Sequence, residues 1–296
     1  MGARIGDLQS GTRVRWHELP PRVRGEVERL LGEAVVSAES QPHGFSAGSA
    51  DRVTTASGRR AFVKTARDPR SAGLHRREIA VMRELPTSVP AATLLGAFDD
   101  GAWVGLVLDD VPGRHPGADD VDAVLGAIGS LPRADTLALP TIAQTLGWAE
   151  ATVPPGLGYL ADLARGATEA MTGDHLVHLD LRCDNVLVNA GGEAVIVDWP
   201  WASRGAPWVD GLTFVLDLRR LGADTDCEGV LADHPMFSAV APRDISAVLA
   251  ALAIDFLTAA RLETGTPGLR AFQLSEGAAA AAWVREREAR RPIAAR

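Results

Sequence analysis

The sequence predicts an α+β chain in two lobes: a small β-rich lobe with one key helix over residues 1–110, and a larger, mostly helical lobe over residues 111–296. Three observations carry this. Short β-like runs crowd the front, at 34–38, 52–55, 61–65, 93–98 and 103–108. Stretches rich in Ala and Leu, good helix formers, fill the back. Between them, Leu108-Asp109-Asp110-Val111-Pro112-Gly113 shifts the composition to charge, Pro and Gly. With 296 residues, 46% of them hydrophobic, the chain buries enough core for one large domain or two modest ones.

The front elements follow in order. Pro20 and Pro21 suit a helix start, Val23, Val27, Leu30 and Leu31 form one stripe, and Gly32 ends the helix over 20–32. Between the first two strands lies Gln41-Pro42-His43-Gly44-Phe45-Ser46-Ala47-Gly48-Ser49. A loop with Ser46 and Gly48 can turn backbone N–H groups toward phosphates, although most such loops are plain hairpins. The strand Ala61-Phe62-Val63-Lys64-Thr65 puts Phe62 and Lys64 on one face and Val63 on the other. Of 30 basic residues, Lys64 alone is lysine. A compact ammonium on a flexible stem is not replaceable by guanidinium where phosphates are met in a narrow slot. The helix over 71–85 carries Leu74, Glu78, Met82 and Leu85 on one stripe. Glu78 on an apolar face requires a partner. Lys64 is the obvious one, unless Glu78 escapes to solvent beside Arg76 and Arg77. An apolar hairpin about Asp99-Asp100-Gly101 leads into the break at Asp109–Val111, read as a hinge whose backbone meets the edge of an adenine.

The most informative stretch is 176–200. It contains His178-x-Asp180, then Asn185, an apolar run Val186-Leu187-Val188, a turn at Asn189-Ala190-Gly191-Gly192, and a second run Val195-Ile196-Val197 ending at Asp198. This is the pattern of a kinase catalytic loop followed by the strand that presents a metal-binding aspartate. Asp180 is the candidate base toward a substrate hydroxyl. Asn185 and Asp198 offer hard oxygen ligands suited to Mg2+. Singly, each is an ordinary turn or capping residue; together and in this order they form a catalytic constellation.

The back of the chain predicts helices at about 119–129, 139–149, 156–172, 208–222, 241–262 and 266–289. The two cysteines, Cys183 and Cys227, give neither a disulfide framework nor a metal spacing, which fits a reducing cytoplasm. No apolar run is long enough to span a bilayer, and the N-terminus lacks the apolar core of a secretion signal. The net charge of −8 disfavours a general nucleic-acid binder. Residues 1–115 carry 16 basic and 14 acidic residues, and residues 116–296 carry 14 and 24. The acidic back suits a cationic substrate, or is solvated surface.

These residues resemble the aminoglycoside phosphotransferase family, which shares the protein-kinase-like fold with choline kinases and fructosamine kinases. The likeness runs from about Val35 to Asp217 and is strongest around His178–Leu187 and Val195–Pro200. It implies Asp180 as the catalytic aspartate and Asn185 and Asp198 as Mg2+ ligands. Lys64, supported by Glu78, would meet the nucleotide phosphates, with Ser46, Gly48, Asp109 and Val111 as further nucleotide contacts. His178 and Asp210 would support the loop; taken alone, Asp210 is a plausible helix N-cap. Trp199-Pro200 stands where protein kinases have Phe-Gly, and proline fixes φ there, so a flipping switch is not expected. Only 11 residues separate Asp198 from Asp210, too few for a peptide-docking activation segment.

The expectation is therefore a cytoplasmic kinase using ATP or GTP and Mg2+, with no membrane, nucleic-acid or obligatory protein partner. Its acceptor would be a small hydroxyl-bearing molecule: an antibiotic such as an aminoglycoside, a nucleoside or a macrolide, or alternatively a sugar or amino-alcohol metabolite. Asp224, Asp226, Glu228, Asp255 and Glu263 are candidate amine contacts, with surface charge as the plainer reading. A binding module of the same fold without turnover is the contrasting class, opposed by the intact set of Lys64, Glu78, Asp180, Asn185 and Asp198.

Overall fold

The computed structural model describes residues 14–41, 48–146, 153, 155–262 and 268–290. The front of the chain forms a five-stranded antiparallel sheet. Its strands are β1 (Val35–Ser40), β2 (Ser49–Thr55), β3 (Arg60–Ala66), β4 (Leu94–Asp99) and β5 (Val104–Asp109), in the order β1-β2-β3-β5-β4. Alternation along β3 decides what each face does. Ala61 and Val63 are fully buried and pack with Val53 and Val107 under Val27 and Leu31 of helix α1 (Pro21–Leu31). Phe62 and Lys64 look the other way, into a cleft. Helix α1 ends at Gly32, whose φ of 76° places it in the left-handed region that a glycine enters without strain.

Helix α2 (Pro69–Glu84) crosses between β3 and β4, and Asp68 caps it by accepting from the Ser71 N–H at 2.9 Å. Its Ile79 and Met82 pack into the main core with Val104, Leu106 and Leu108 of β5. Glu78 is buried in the same row.

The back of the chain is helical: α3 (Val121–Gly129), α4 (Ile142–Leu146), α5 (Gly158–Leu163), α6 (Ala167–Ala170), α7 (Trp208–Arg220), α8 (Cys227–Asp233), α9 (Pro242–Ala259) and α10 (Leu269–Arg290). Two small antiparallel pairs lie among them. Strand β6 (His175–Val177) pairs with β9 (Ser203–Gly205), and β7 (Val186–Val188) pairs with β8 (Ala194–Ile196). The α+β, two-lobed architecture expected from the sequence is the one observed.

Several local expectations are corrected. The continuous helix at 156–172 is two short ones, α5 and α6, because Gly166 adopts a left-handed φ of 88° between them. The helix at 139–149 is described only as α4, and residues 147–149 lie outside the described residues. Helix α8 and the β6–β9 pair were not anticipated; three-residue strands leave no periodicity to read.

The β7–β8 hairpin is where the two lobes meet. Ile196 N–H donates to Pro90 O at 2.7 Å, on the segment joining α2 to β4. On the other strand, Arg114 and Val188 exchange backbone bonds of 3.0 and 2.8 Å just beyond the hinge. Asp110 pins the hinge itself, with ion pairs of 2.9 Å to both Arg52 of β2 and Arg60 of β3. Among the described residues, no helix is long and apolar enough to cross a membrane.

Candidate active site

The sheet, α2, the hairpin and the back helices enclose one cleft of about 790 Å³. Lys64, Asp109, Val111, Asp180, Asn185 and Asp198 all line it. Ser46 lies outside the described residues.

Lys64 stands between two carboxylates. Its Nζ donates to Glu78 Oε1 and Oε2 at 2.8 and 3.0 Å and to Asp198 Oδ1 at 2.7 Å. Burial alone would lower the Lys64 pKa, but the two carboxylates reverse this and hold it above the ordinary lysine value. Burial likewise opposes the charge on Asp198, yet the adjacent ammonium pulls that carboxyl down to about 2. Burial raises Glu78, and Lys64 works against the rise. The alternative of a solvent-exposed Glu78 beside Arg76 and Arg77 is excluded, since Glu78 is 1% exposed.

The loop from His178 to Asn185 is held from beneath. Asp210 accepts from the His178 N–H at 2.6 Å and from the Leu179 N–H at 2.8 Å. It lies inside the first turn of α7 and not at its N-cap, which is Pro207. Two turns along the same helix, Asp217 accepts from the Cys183 N–H at 2.8 Å. The His178 Nε2–H donates to Val197 O at 3.0 Å, while Nδ1 accepts from the Asp180 N–H at 3.3 Å. Burial lowers its pKa and keeps the ring neutral, as that pair of bonds requires. The ring also meets the edge of buried Trp199, with centroids 4.8 Å apart.

Asp180 accepts from Arg182 Nε at 3.0 Å and from Asn185 Nδ2 at 3.2 Å. Burial raises its pKa, and Arg182 opposes that rise. Asn185 Nδ2 also donates to Asp180 O at 2.7 Å, which leaves the amide oxygen as the acceptor end of that side chain. Leu179 and Asp198 both have left-handed backbones, with φ of 65° and 69°. Such residues store strain of about 1–3 kcal/mol each and cluster where geometry is functional. Nothing in the sequence signals either of them.

Gly48 has a steric reason for its identity that the sequence reading did not supply. A Cβ there would sit 1.9 Å from Thr65 O, so β2 approaches β3 more closely than any side chain permits. At the hinge, the Asp109 N–H is bonded to Thr93 O at 2.9 Å.

The amine contacts expected in the acidic half are mostly placed elsewhere. Asp226 caps α8 by accepting from the Gly229 N–H at 3.0 Å. Glu228 holds Trp283 Nε1 at 2.6 Å and Arg287 Nη1 at 2.7 Å. Asp224 is absent from the cleft lining, and Glu263 lies outside the described residues. Of the four that lie among the described residues, Asp255 alone lines the cleft. The sequence reading also passed over Arg182, Asp217, Arg220, Phe272 and Glu276. Arg182 was open to view, two positions after Asp180; the others depend on packing between distant helices.

Among the described residues, no three His, Cys, Asp or Glu side chains form a metal cluster. The donor set of Asn185 and Asp198 nevertheless fits Mg2+, which takes one or two protein oxygens and completes its shell with phosphate oxygens and water.

No curated protein sequence matches the chain significantly. Solved structures do. The GDP and kanamycin complex of APH(2")-IIia superposes with a TM-score of 0.58 at 18% identity, covering 91% of this chain and 99% of that one. Choline kinase LicA from Streptococcus pneumoniae gives 0.63 at 14%, covering 90% and 98%. The AMP-bound complex of spectinomycin phosphotransferase gives 0.60 at 8%, covering 92% and 98%. At these identities the likeness establishes the bilobal kinase-like fold. The model of the phosphotransferase enzyme family matches residues 42–234. The chain thus belongs to the phosphotransferase enzyme family.

Proposed function

We propose that the protein transfers the γ-phosphoryl group of ATP or GTP to a hydroxyl of a small molecule. What supports this most is one juxtaposition: Lys64, Asp180, Asn185 and Asp198 line a single cleft, with Lys64 paired to Asp198 at 2.7 Å. In this reading Asp180 takes the hydroxyl proton as the oxygen forms its bond to the γ-phosphorus. The bond from phosphorus to the β,γ-bridging oxygen breaks, and a phosphate ester and a nucleoside diphosphate leave. Lys64 meets the phosphates, with Glu78 fixing its position. Gly48 and the backbone at Asp109 and Val111 would border the nucleotide. Asn185 and Asp198 would hold Mg2+, which supplies charge neutralisation to the phosphates when bound. His178 and Asp210 act through the loop they hold. The boundary between nucleotide and acceptor lobes is placed at Asp110.

The proposed acceptor is an antibiotic in a cytoplasmic resistance reaction. Relatives solved with kanamycin and as a spectinomycin phosphotransferase support that class, while the choline kinase relative stands for a metabolite. Nucleotide consumption against a panel of both classes, with Asp180→Ala as control, tests the chemistry. The variant is expected to lose at least about a hundredfold in turnover, the scale of a positioned general base, and to keep nucleotide binding. Undiminished turnover would remove Asp180 from its role.

A further inference from the structure

Past Asp180, away from the nucleotide residues, the cleft wall changes character. Arg182, bonded to Asp180 at 3.0 Å, lies over the ring of Phe272, 4.7 Å from its centroid. Phe256 packs edge-on against Phe272, with centroids 5.9 Å apart and an interplanar angle of 87°. Leu216, Leu252 and Leu269 continue the same wall. The floor beside Asp180, built from α7, α9 and α10, thus carries an aromatic and aliphatic patch, with Thr213, Asp255, Gln273 and Glu276 as its polar members.

The carboxylates nearby are largely committed. Asp184 is ion-paired to Arg182 at 3.2 Å, and Glu276 to Arg220 at 2.6 Å. Along the α9 wall Asp255 is the one acidic side chain, and it too is engaged by a neighbour. A polycation needs an array of carboxylates spaced to meet its amines, because each ammonium that is buried without a partner costs several kcal/mol. This wall instead rewards apolar surface.

Resting on the phosphotransferase reading of the same cleft, we propose that the acceptor is an amphiphile. Its hydroxyl meets Asp180 while an apolar ring or chain lies on Phe256, Phe272 and Leu252, and it carries at most one positive charge. Within the antibiotic class proposed above, the described wall disfavours an aminoglycoside-like polycation.

A graded series of ω-phenylalkanols tests this without knowledge of the natural acceptor. Binding is titrated calorimetrically on the full-length protein loaded with a non-hydrolysable ATP analogue, with kanamycin as the polycationic probe. Affinity is expected to rise about fourfold with each added methylene, as apolar burial dictates, and to exceed that for kanamycin. Phe256→Asp, which puts a charge on the floor, is expected to flatten the series, and the milder Leu252→Ala to weaken it about tenfold. A wild-type series flat in chain length, kanamycin binding tighter than the longest alkanol, or a Phe256→Asp series as steep as wild type overturns the proposal. Failure of the ATP analogue to bind in a preceding titration of the unloaded protein would instead count against the phosphotransferase reading, so the two failures are separable.

Discussion

Lys64 shows how much one side chain's surroundings constrain it. Its ammonium reaches Glu78 and Asp198 at 2.8 and 2.7 Å from a side chain only 12% exposed. Arginine keeps the charge but brings a longer, planar group that cannot enter that gap without displacing one carboxylate. Lys64→Arg is therefore expected to lose at least about tenfold in kcat/KM, the loss expected when a charge-assisted hydrogen bond fails. Wild-type kinetics from that variant would show that charge alone suffices. This pair was legible in the sequence because two independent oddities pointed at each other: the one lysine in the chain and an acid on an apolar helix stripe. Arg182 was open to view beside Asp180, but its setting was not. Its position depends on Phe272, which reaches it from the last helix.

At the scale of elements, α7 acts as a ruler for the loop above it. Asp210 and Asp217 stand seven residues apart, two turns of helix, and so share a face. One holds the His178 and Leu179 amides, the other the Cys183 amide. The loop is thereby fixed at both ends, with the strained Leu179 near one anchor. Removing the first anchor should let Asp180 drift, and a displacement of about 1 Å costs on the order of a hundredfold in rate. Asp210→Ala is expected to lower kcat on that scale. The KM for nucleotide should change far less, because β3 and α2 set Lys64 independently. A variant that loses nucleotide affinity and turnover in parallel would show that α7 supports the whole cleft. The sequence showed that an aspartate opens this helix, and resemblance supplied its anchoring role. Its reach to two backbone amides is a tertiary fact that no local pattern encodes. The second anchor, Asp217, looked like any helix acid.

At the scale of the molecule, the C-terminal helix closes onto the centre through a buried charge cluster. Arg220 Nε donates to Asp217 Oδ1 at 2.9 Å and to Glu276 Oε1 at 2.6 Å, and Glu276 is 2% exposed. Two carboxylates share one guanidinium, an arrangement that pushes their pKa values apart. Burial, and then the charge of Asp217, push Glu276 well above its ordinary value, while hydrogen bonding from Glu276 helps to hold Asp217 low. A protonated Glu276 would donate to Asp217, which in turn holds the Cys183 amide. The sign for stability follows directly. A carboxyl with a raised folded pKa binds more protons folded than unfolded, so stability declines as pH rises above the ordinary carboxylate value toward the raised one. Glu276→Gln mimics the protonated carboxyl and cannot ionise. Its melting temperature is expected to match wild type at about pH 5 and to exceed it progressively toward about pH 8. Parallel melting curves over that range, with no widening gap, would mean that Glu276 is ionised in the folded protein. The long apolar α9 and the Ala-rich α10 were readable as helices from composition alone, but the charge between α10 and α7 was not. It exists only because distant turns of chain come to share one dry space, and in that space the far end of the sequence bears on the loop that carries Asp180.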